Sequence, residues 1–319
     1  MSRKHRQRGY TYDTGTKEGV PLLGGVLIFS GSLLAILSWC DLSDRYVHAA
    51  IAASVWFFFT GLIDDLGKVR AGNSDGGMSR KVKYLVQFGF GAVLGLWLMG
   101  PGSPHPEYLR DALSLPFYKE LYHLGWLQVP FVALVIALVA NSVNFADGMD
   151  GLATVPSFMT FLGLAIFSYI CGHVIWSNHF LFFVLPQGGS GLPCSELVVV
   201  SFALMGGLIG FLWYNAFPAQ MFMGDCGSMF LGGLMGTVFV LIKQEYLFPV
   251  FGIVFVLELG SVILQDWLGI KLLGRRILYR APFHDNLKYR GWSEPKIVVR
   301  MWILSSMALA AGLLTIKLR

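Results

Sequence analysis

Long apolar runs recur along almost the whole chain, and they restrict its fold more than any other feature. A transmembrane helix needs about 20 consecutive, mostly apolar residues, and about nine runs approach that length. Of the 319 residues, 55% are hydrophobic and only 13% are charged. A buried helix of a soluble protein could explain one such run, but not all of them. The predicted spans are roughly 20–40, 46–63, 84–102, 127–143, 152–170, 196–214, 228–243, 247–266 and 298–316.

The sequence therefore predicts an all-α integral membrane protein with about nine transmembrane helices. It predicts a single domain over residues 1–319, beginning with a basic, polar segment at 1–18. The mixed polar connection around residues 103–125 favours a short surface helix, and the short apolar run 176–185 favours a partly buried loop element. The four cysteines have no metal-binding spacing.

Basic residues lie mainly on one side of the predicted membrane. That side holds about three quarters of the 24 lysines and arginines, so the positive-inside rule makes it cytoplasmic. A positive face suits anionic substrates, although the rule alone would also produce it. The cytoplasmic segments are 1–18, 64–83, 141–151, 215–227 and 267–297.

Two adjacent aspartates end the second predicted span. In the stretch GLIDDLGKVR, Asp64 and Asp65 are followed by Lys68 at helical spacing, so the ammonium group can lie on the same face as both carboxylates. Neighbouring carboxylates repel each other near a membrane, and a cation or a shared proton relieves the repulsion. A solvated helix end with a local ion pair would produce the same pattern.

Three polar residues at intervals of three follow the fourth span. Asn144, Asp147 and Asp150 fall near one face if the stretch NSVNFADGMDGLA is helical. Gly148 and Gly151 permit a bend. No basic residue follows closely enough in sequence to neutralise the aspartates. The alternative is a hydrophilic turn in which the aspartates are caps.

A single acid lies in a glycine turn between two apolar runs, in the stretch NAFPAQMFMGDCGSM. Asp225 precedes a predicted helix whose first turn would contain Gly227 and Ser228, so an N-cap is the simplest interpretation. The alternative is that the glycines let a metal ion and a diphosphate approach the backbone closely. Phe222 would either face lipid or stack on a base.

The last polar stretch, APFHDNLKYRGWSEPKIVVR, contributes His284 among several basic residues. Before it, WLGIKLLGRRILYR combines lysine and arginine with leucine and isoleucine, which is typical of an amphipathic segment at the lipid headgroups. The cytoplasmic segments together carry about five carboxylates with lysines around them. Because Mg²⁺ prefers oxygen ligands and substrate phosphates, the sequence predicts a Mg²⁺ site that receives a diphosphate.

Five stretches, in order along the chain, resemble the signature blocks of the polyprenyl-phosphate N-acetylhexosamine-1-phosphate transferases, the glycosyltransferase 4 family. The resemblance extends from about Lys17 to the C-terminus, and the block GWSEPKIVVRMWI is similar to the peptidoglycan branch of that family. The five stretches are TKEGVPLLGG, DDLGKV, NSVNFADGMDGLA, NAFPAQMFMGDCGSMFLGG and APFHDNLKYRGWSEPKIVVRMWI.

The resemblance implies an enzyme of the bacterial inner membrane with its active site on the cytoplasmic face. Such an enzyme transfers phospho-MurNAc-pentapeptide from UDP-MurNAc-pentapeptide to undecaprenyl phosphate, giving lipid I and UMP for the cell wall. It requires Mg²⁺. The resemblance implies no nucleic-acid partner and is compatible with a homodimer.

The matching motifs also imply a role for each candidate residue. The catalytic residues would be Asp64, Asp65, Asp225 and His284, and the metal ligands would be Asp225 and Asp147. The substrate-binding residues would be Lys17, Lys68, Lys83, Asn144, Asp147, Asp150, Asn215, Phe222 and Gln265. Among these, the lysines would surround the nucleotide and its phosphates, and Asn215, Phe222 and Gln265 would hold the nucleoside.

Two departures from the family pattern affect these expectations. Three consecutive histidines are usual where this chain has His284-Asp285-Asn286. The family also has ten spans as a rule, so its usual first helix is expected to be absent here. An alternative activity is the transfer of GlcNAc-1-phosphate from UDP-GlcNAc to a polyprenyl phosphate. The alternatives from other classes are a transporter, which would place its charges near the membrane midplane, and a membrane scaffold.

Overall fold

The structure, a computed structural model, describes residues 20–72, 76–115, 121–180, 182 and 196–318. Lys17 lies outside the described residues, so its proposed contact with the nucleotide stays a prediction. The helices are α1 (Gly24–Trp39), α2 (Arg45–Ala71), α3 (Arg80–Met99), α4 (Gln128–Ala146), α5 (Thr154–Gly172), α6 (Val174–His179), α7 (Glu196–Asn215), α8 (Gly224–Leu241), α9 (Phe248–Phe251), α10 (Ile253–Ile263), α11 (Phe283–Tyr289) and α12 (Glu294–Leu314).

Eight helical segments of the described chain are long and apolar enough to cross a membrane, so the protein is a multi-pass membrane protein. They are α2, α3, α4 with the turn before it, α5, α7, α8, α10 with its continuation to Leu272, and α12. The remaining predicted span, 20–40, corresponds to α1, which has 16 residues. At 1.5 Å per residue α1 is about 24 Å long, shorter than a hydrocarbon core of about 30 Å. The all-α fold class is confirmed.

The polar connection between α3 and α4 contains a β-hairpin where a surface helix was expected. Strand β1 (Ala112–Ser114) pairs antiparallel with β2 (Leu121–His123), and Ala112 lies opposite His123. In β1 the outer two residues are buried and the middle one is half-buried, which is the two-residue period of a strand. The expected helix is limited to the three-residue 3₁₀ turn Glu107–Leu109, and the cross-strand pairing organises the part of the connection that follows it. In the part of the chain that the structure describes, this hairpin is the only sheet.

Helix α8 lies at the centre of the bundle. In the most apolar 18 residues of α8, 89% of the residues are buried, compared with 33% in the corresponding stretches of α3 and α12. Helices α2 and α4 pack on either side of α8. A side chain on Gly232 would overlap the backbone of Ala140, so the glycine allows α8 and α4 to approach closely. This central position fixes the N-terminal end of α8 against the ends of its neighbours.

A buried group of ionisable residues lies at the other end of α8, just after Leu241. One His105 ring nitrogen is 2.8 Å from the Leu241 carbonyl oxygen, and Lys243 donates to the carbonyl of Arg110 at 3.2 Å. Neither carboxyl oxygen of Glu245 has a hydrogen-bond partner among the described residues. Burial raises the pKa of Glu245 to about 7 and lowers that of His105 to about 3. This end of the bundle therefore holds polar groups away from the acidic residues described next.

Candidate active site

Three carboxyl groups meet where α2 ends and α8 begins. Asp64 and Asp65 lie in the last two turns of α2, and Asp225 lies in the first turn of α8. One oxygen from each carboxyl can be chosen so that all three lie within 4.8 Å of one another. Gly61 makes this possible, because any side chain there would collide with the backbone at Asp225. We call Asp64, Asp65 and Asp225 the acidic cluster.

Two lysines neutralise much of the acidic cluster. The Lys68 ammonium is 2.6 Å from Asp64 Oδ2 and 2.8 Å from Asp225 Oδ2. Lys83, at the start of α3, is 2.8 Å from the same two oxygens. The predicted placement of Lys68 on the face of both aspartates is confirmed, since its ammonium also lies 3.9 Å from Asp65. Two ammonium groups against three carboxylates leave the cluster with a net negative charge if all five groups are ionised.

Each member of the acidic pair also holds a separate piece of backbone. Asp64 accepts a 2.6 Å hydrogen bond from the backbone N–H of Met78, before α3. Asp65 accepts a 2.9 Å hydrogen bond from the N–H of Cys226, in the first turn of α8. An anion at a helix N-terminus satisfies free N–H groups and suits the helix dipole. Asp65 therefore caps α8 from a neighbouring helix.

The structure excludes the N-cap alternative for Asp225. Helix α8 begins at Gly224, the N-cap position is Met223, and no side chain caps the helix from that position. Gly224 has a φ of +74°, and a side chain on it would meet the Leu22 carbonyl and Asp65 Oδ2 at 2.6 and 2.7 Å. The glycine turn thus fits α8 against the entry to α1 and against Asp65. Asp225 is left free to face the lysines.

The second acidic block lies partly outside a helix. Helix α4 ends at Ala146, with Asp147 as its C-cap, so Asn144, Asp147 and Asp150 do not share the single helical face that was considered. Asn144 donates to Asp225 Oδ1 at 3.2 Å and to Ser228 at 2.9 Å. Thus Asn144 joins the end of α4 to the start of α8.

Asp147 lies near the acidic cluster without belonging to its closest group of three. The residue as a whole keeps some exposure. The carboxyl itself is surrounded by protein, which raises the pKa of Asp147 well above the usual range, and the negative charges of Asp225 and Asp65 add to the effect. Its proposed role as a metal ligand stays a prediction.

Asp150 and Asn215 hold the surrounding loops together. Asp150 accepts a 3.1 Å hydrogen bond from the N–H of Ala219. The Asn215 side-chain oxygen accepts hydrogen bonds of 2.9 Å from the Gly151 N–H and the Thr154 hydroxyl, and its amide donates to the Met221 carbonyl at 2.9 Å. Gly151 has a φ of +75°, which confirms the expected bend. These contacts are structural, and the predicted substrate contacts of Asp150 and Asn215 stay predictions.

Phe222 and Gln265 lie at the edges of the same region. Phe222 is partly exposed, and its backbone pairs with Pro21 and Gly24 at the entry to α1. Gln265 lies in the π-helical segment Leu264–Leu272, and its side-chain oxygen accepts hydrogen bonds from the backbone after Gly274, at Ile277 and Leu278. Gln265 therefore shapes the loop after α10, and the predicted nucleoside contacts of both residues stay predictions.

His284 has a partner that the sequence reading missed. His284 lies in the first turn of α11, is 4% exposed, and pairs through Nδ1 with Glu258 of α10 at 2.9 Å. The sequence contained a signal, because Glu258 lies in the middle of the apolar run 247–266, whose other acid, Asp266, is its last residue. An acid in the middle of such a run needs a partner. The distance of 26 residues to His284 concealed which partner it was.

The acidic cluster fits a divalent metal ion by the chemistry of its donors. Ionised carboxylates are acceptor-only oxygen ligands, and three of them within 4.8 Å match the preference of a hard cation such as Mg²⁺. The lysines beside them suit phosphate oxygens. This combination of carboxylates and ammonium groups at the ends of membrane helices can bind a metal-bound diphosphate, and it defines a candidate membrane transferase.

The family comparison agrees with this class. The sequence model of glycosyl transferase family 4 matches residues 47–243, which is more than half of the chain. The chain therefore belongs to glycosyl transferase family 4, which contains the polyprenyl-phosphate hexosamine-1-phosphate transferases. It is a transferase that acts on a polyprenyl phosphate and a nucleotide-sugar donor. The matched residues include the whole acidic cluster, whereas His284 lies beyond them.

Proposed function

We propose that the protein is a phospho-N-acetylmuramoyl-pentapeptide-transferase. It would transfer phospho-MurNAc-pentapeptide from UDP-MurNAc-pentapeptide to undecaprenyl phosphate, giving lipid I and UMP. The observation that carries the proposal is the acidic cluster with its two lysines, at the ends of membrane helices in a chain of this family. The peptidoglycan branch is favoured by the block GWSEPKIVVRMWI.

The reaction is a phosphoryl transfer, and such reactions depend mainly on positioning and charge neutralisation. An oxygen of undecaprenyl phosphate forms a bond to the sugar-bearing phosphorus of the donor. The bond from that phosphorus to the bridging oxygen breaks, and UMP leaves with the electron pair. Asp64 or Asp65 would take the proton of a monoprotonated lipid phosphate, so that the attacking oxygen is ionised. Lys68 and Lys83 would offset the charge that grows on the departing UMP.

Asp225 and Asp147 would hold a Mg²⁺ ion, which supplies positive charge to the diphosphate when it is bound. The lysines now paired with Asp225 carry the charge that a diphosphate attracts. Asn144 keeps Asp225 Oδ1 oriented from α4. We also propose that the protein lies in the bacterial inner membrane with this site on the cytoplasmic face. The lipid phosphate would then reach the site sideways, from the inner leaflet.

The decisive experiment is transfer of labelled sugar phosphate into lipid by the purified protein, with and without Mg²⁺. We expect Mg²⁺-dependent product from UDP-MurNAc-pentapeptide, and Asp225→Asn should lower the rate by at least about 10²-fold. Asp266→Asn is the matched control, because Asp266 is an exposed acid outside the acidic cluster. Normal transfer by Asp225→Asn would exclude the proposed metal role.

A second candidate is the transfer of GlcNAc-1-phosphate from UDP-GlcNAc to the same kind of lipid. The observation that favours it is His284-Asp285-Asn286 in place of three consecutive histidines. Assaying both UDP-sugars with undecaprenyl phosphate separates the two activities. Transfer from UDP-GlcNAc alone would overturn the first proposal while preserving the family assignment.

A further inference from the structure

Helix α10 carries a carboxylate in an unusual place. Glu258 is 0% exposed and lies inside the membrane-spanning segment Ile253–Leu272. A charged side chain within a membrane span is costly unless it is paired, and an acid retained there usually serves a function. In the described part of the chain, Oε1 of Glu258 has no hydrogen-bond partner. Among the described residues, the Glu258 carboxylate therefore accepts hydrogen bonds only at Oε2.

Glu258 Oε2 receives two hydrogen bonds from one residue. Nδ1 of His284 lies 2.9 Å away, and the backbone N–H of His284 donates at 3.3 Å. An ionised carboxylate can only accept, so the proton of this pair belongs on Nδ1 of the ring. In a neutral imidazole Nε2 then carries the lone pair. One oxygen thus fixes the position of the first turn of α11, the plane of the ring and the location of its proton.

The opposite edge of the His284 ring lies against the second acidic block. A side chain on Gly148 would come within 2.5 Å of His284 Cε1 and would overlap Nε2 directly. Gly148 follows Asp147, the C-cap of α4, and Asn144 in the last turn of that helix donates to Asp225 Oδ1 at 3.2 Å. On the same edge, Asp285 Oδ1 is 3.8 Å from Nε2. The ring therefore spans the distance from a buried anchor in α10 to the loop beside the acidic cluster.

We propose that Glu258 is a positioning residue for His284: it keeps the proton on Nδ1 and directs the Nε2 lone pair toward the loop that carries Asp147. This inference rests on the proposed function, because it assumes that His284 serves the transfer reaction. Glu258 itself would not touch the substrate. In this arrangement neutral His284 offers an acceptor at Nε2, which can take a proton or a hydrogen bond from the substrate. Because Gly148 has no side chain, there is room for the ring beside it.

The kinetic test compares two substitutions of similar size. Glu258→Leu removes the acceptor, and we expect kcat to fall by about 10- to 100-fold with a nearly unchanged KM for the donor. Glu258→Gln keeps an oxygen acceptor and should stay within about fivefold of the wild type. If Glu258 acts only through His284, adding Glu258→Leu to His284→Ala should lower kcat no further. Additive losses, or equal losses in the Leu and Gln variants, would overturn the proposal.

A second readout does not need activity. In the ¹⁵N spectrum of histidine-labelled protein in detergent, the signals that vanish in His284→Ala belong to this ring. We expect a protonated Nδ1 in the wild type and in Glu258→Gln, and a mixture of tautomers in Glu258→Leu. Glu245→Leu is the control, because it removes a buried glutamate at the other end of α8 and should leave the His284 signals unchanged.

The spectrum also separates the two proposals. A wild-type ring protonated on Nε2 alone would refute the positioning role, whatever the enzyme transfers. Failure of the wild-type protein to use either UDP-sugar would refute the proposed function and leave the spectral result standing. If Glu258→Leu fails to fold, the wild-type spectrum and the Glu258→Gln variant still decide the question.

Discussion

Replacing Gly61 by alanine tests whether the close approach of α2 and α8 assembles the acidic cluster. The new Cβ would lie 2.6 Å from Cys226 Cα, whereas ordinary contact begins at 3.4 Å. Because the obstacle is backbone, the two helices must separate by about 1 Å. Asp64 and Asp65 would then shift relative to Asp225. A displacement of about 1 Å in a reacting geometry can cost about 10²-fold in rate, and overpacking typically costs about 1–3 kcal/mol in stability.

The assay measures transfer into lipid at saturating Mg²⁺ together with thermal unfolding in detergent. Gly89→Ala is the matched control, because Gly89 lies in a transmembrane helix and nothing is within 4 Å of a side chain added there. We expect that control to keep its activity and to gain up to about 1 kcal/mol from the better helix propensity of alanine. A Gly61→Ala protein that transfers at the wild-type rate would refute the view that this glycine sets the spacing of the carboxylates.

Three further predictions concern charge and hydrogen bonding. Burial raises the pKa of Glu245 from 4.5 to about 7. The folded protein therefore binds this proton more tightly than the unfolded chain, and its stability falls as pH rises through that interval. Glu245→Gln should raise the free energy of unfolding by about 3 kcal/mol at pH 8.5 and change it much less at pH 5, which thermal unfolding measures. Lys83→Met removes a partner of Asp64 and Asp225 and should destabilise Mg²⁺-free protein by on the order of 2 kcal/mol, a value kept moderate because Lys83 is partly exposed. Added Mg²⁺ should restore part of this stability in the same measurement. Asn215→Ala should lower the unfolding temperature as well as the rate, because three hydrogen bonds are lost, whereas a pure substrate contact would raise KM at constant stability.

The helical bundle could be predicted because long apolar runs have few alternatives in a membrane. The pairing of Lys68 with Asp64 was equally accessible, since it depends only on the spacing of residues along one helix. The sequence motifs also indicated that Asp64, Asp65 and Asp225 share one region, and the structure brings their carboxyl groups together. Length, periodicity and motif order were therefore enough to predict the helical bundle, the Lys68–Asp64 contact and the meeting of the three aspartates.

The errors arose where tertiary contacts decide local structure. An N-cap role for Asp225 would start α8 at Cys226, but the helix starts two residues earlier, at the left-handed Gly224, and Asp65 of another helix supplies the capping oxygen. The helical face expected for the second block fails because α4 ends at Ala146. Glu258 was not predicted as a site residue, because only the packing of α11 on α10 reveals that it pairs with His284.

Lys68 and Lys83 tie together three helices, because each contacts carboxylates of both α2 and α8 while Lys83 itself belongs to α3. In the proposed reaction an incoming diphosphate would compete for the same ammonium groups. Substrate capture would then be an exchange of counterions, in which the donor replaces the aspartates as the partner of ion pairs that otherwise hold the helices together. Binding of the donor and breaking of the ion pairs that join α2, α3 and α8 would then occur together, and release of the product would let these ion pairs form again.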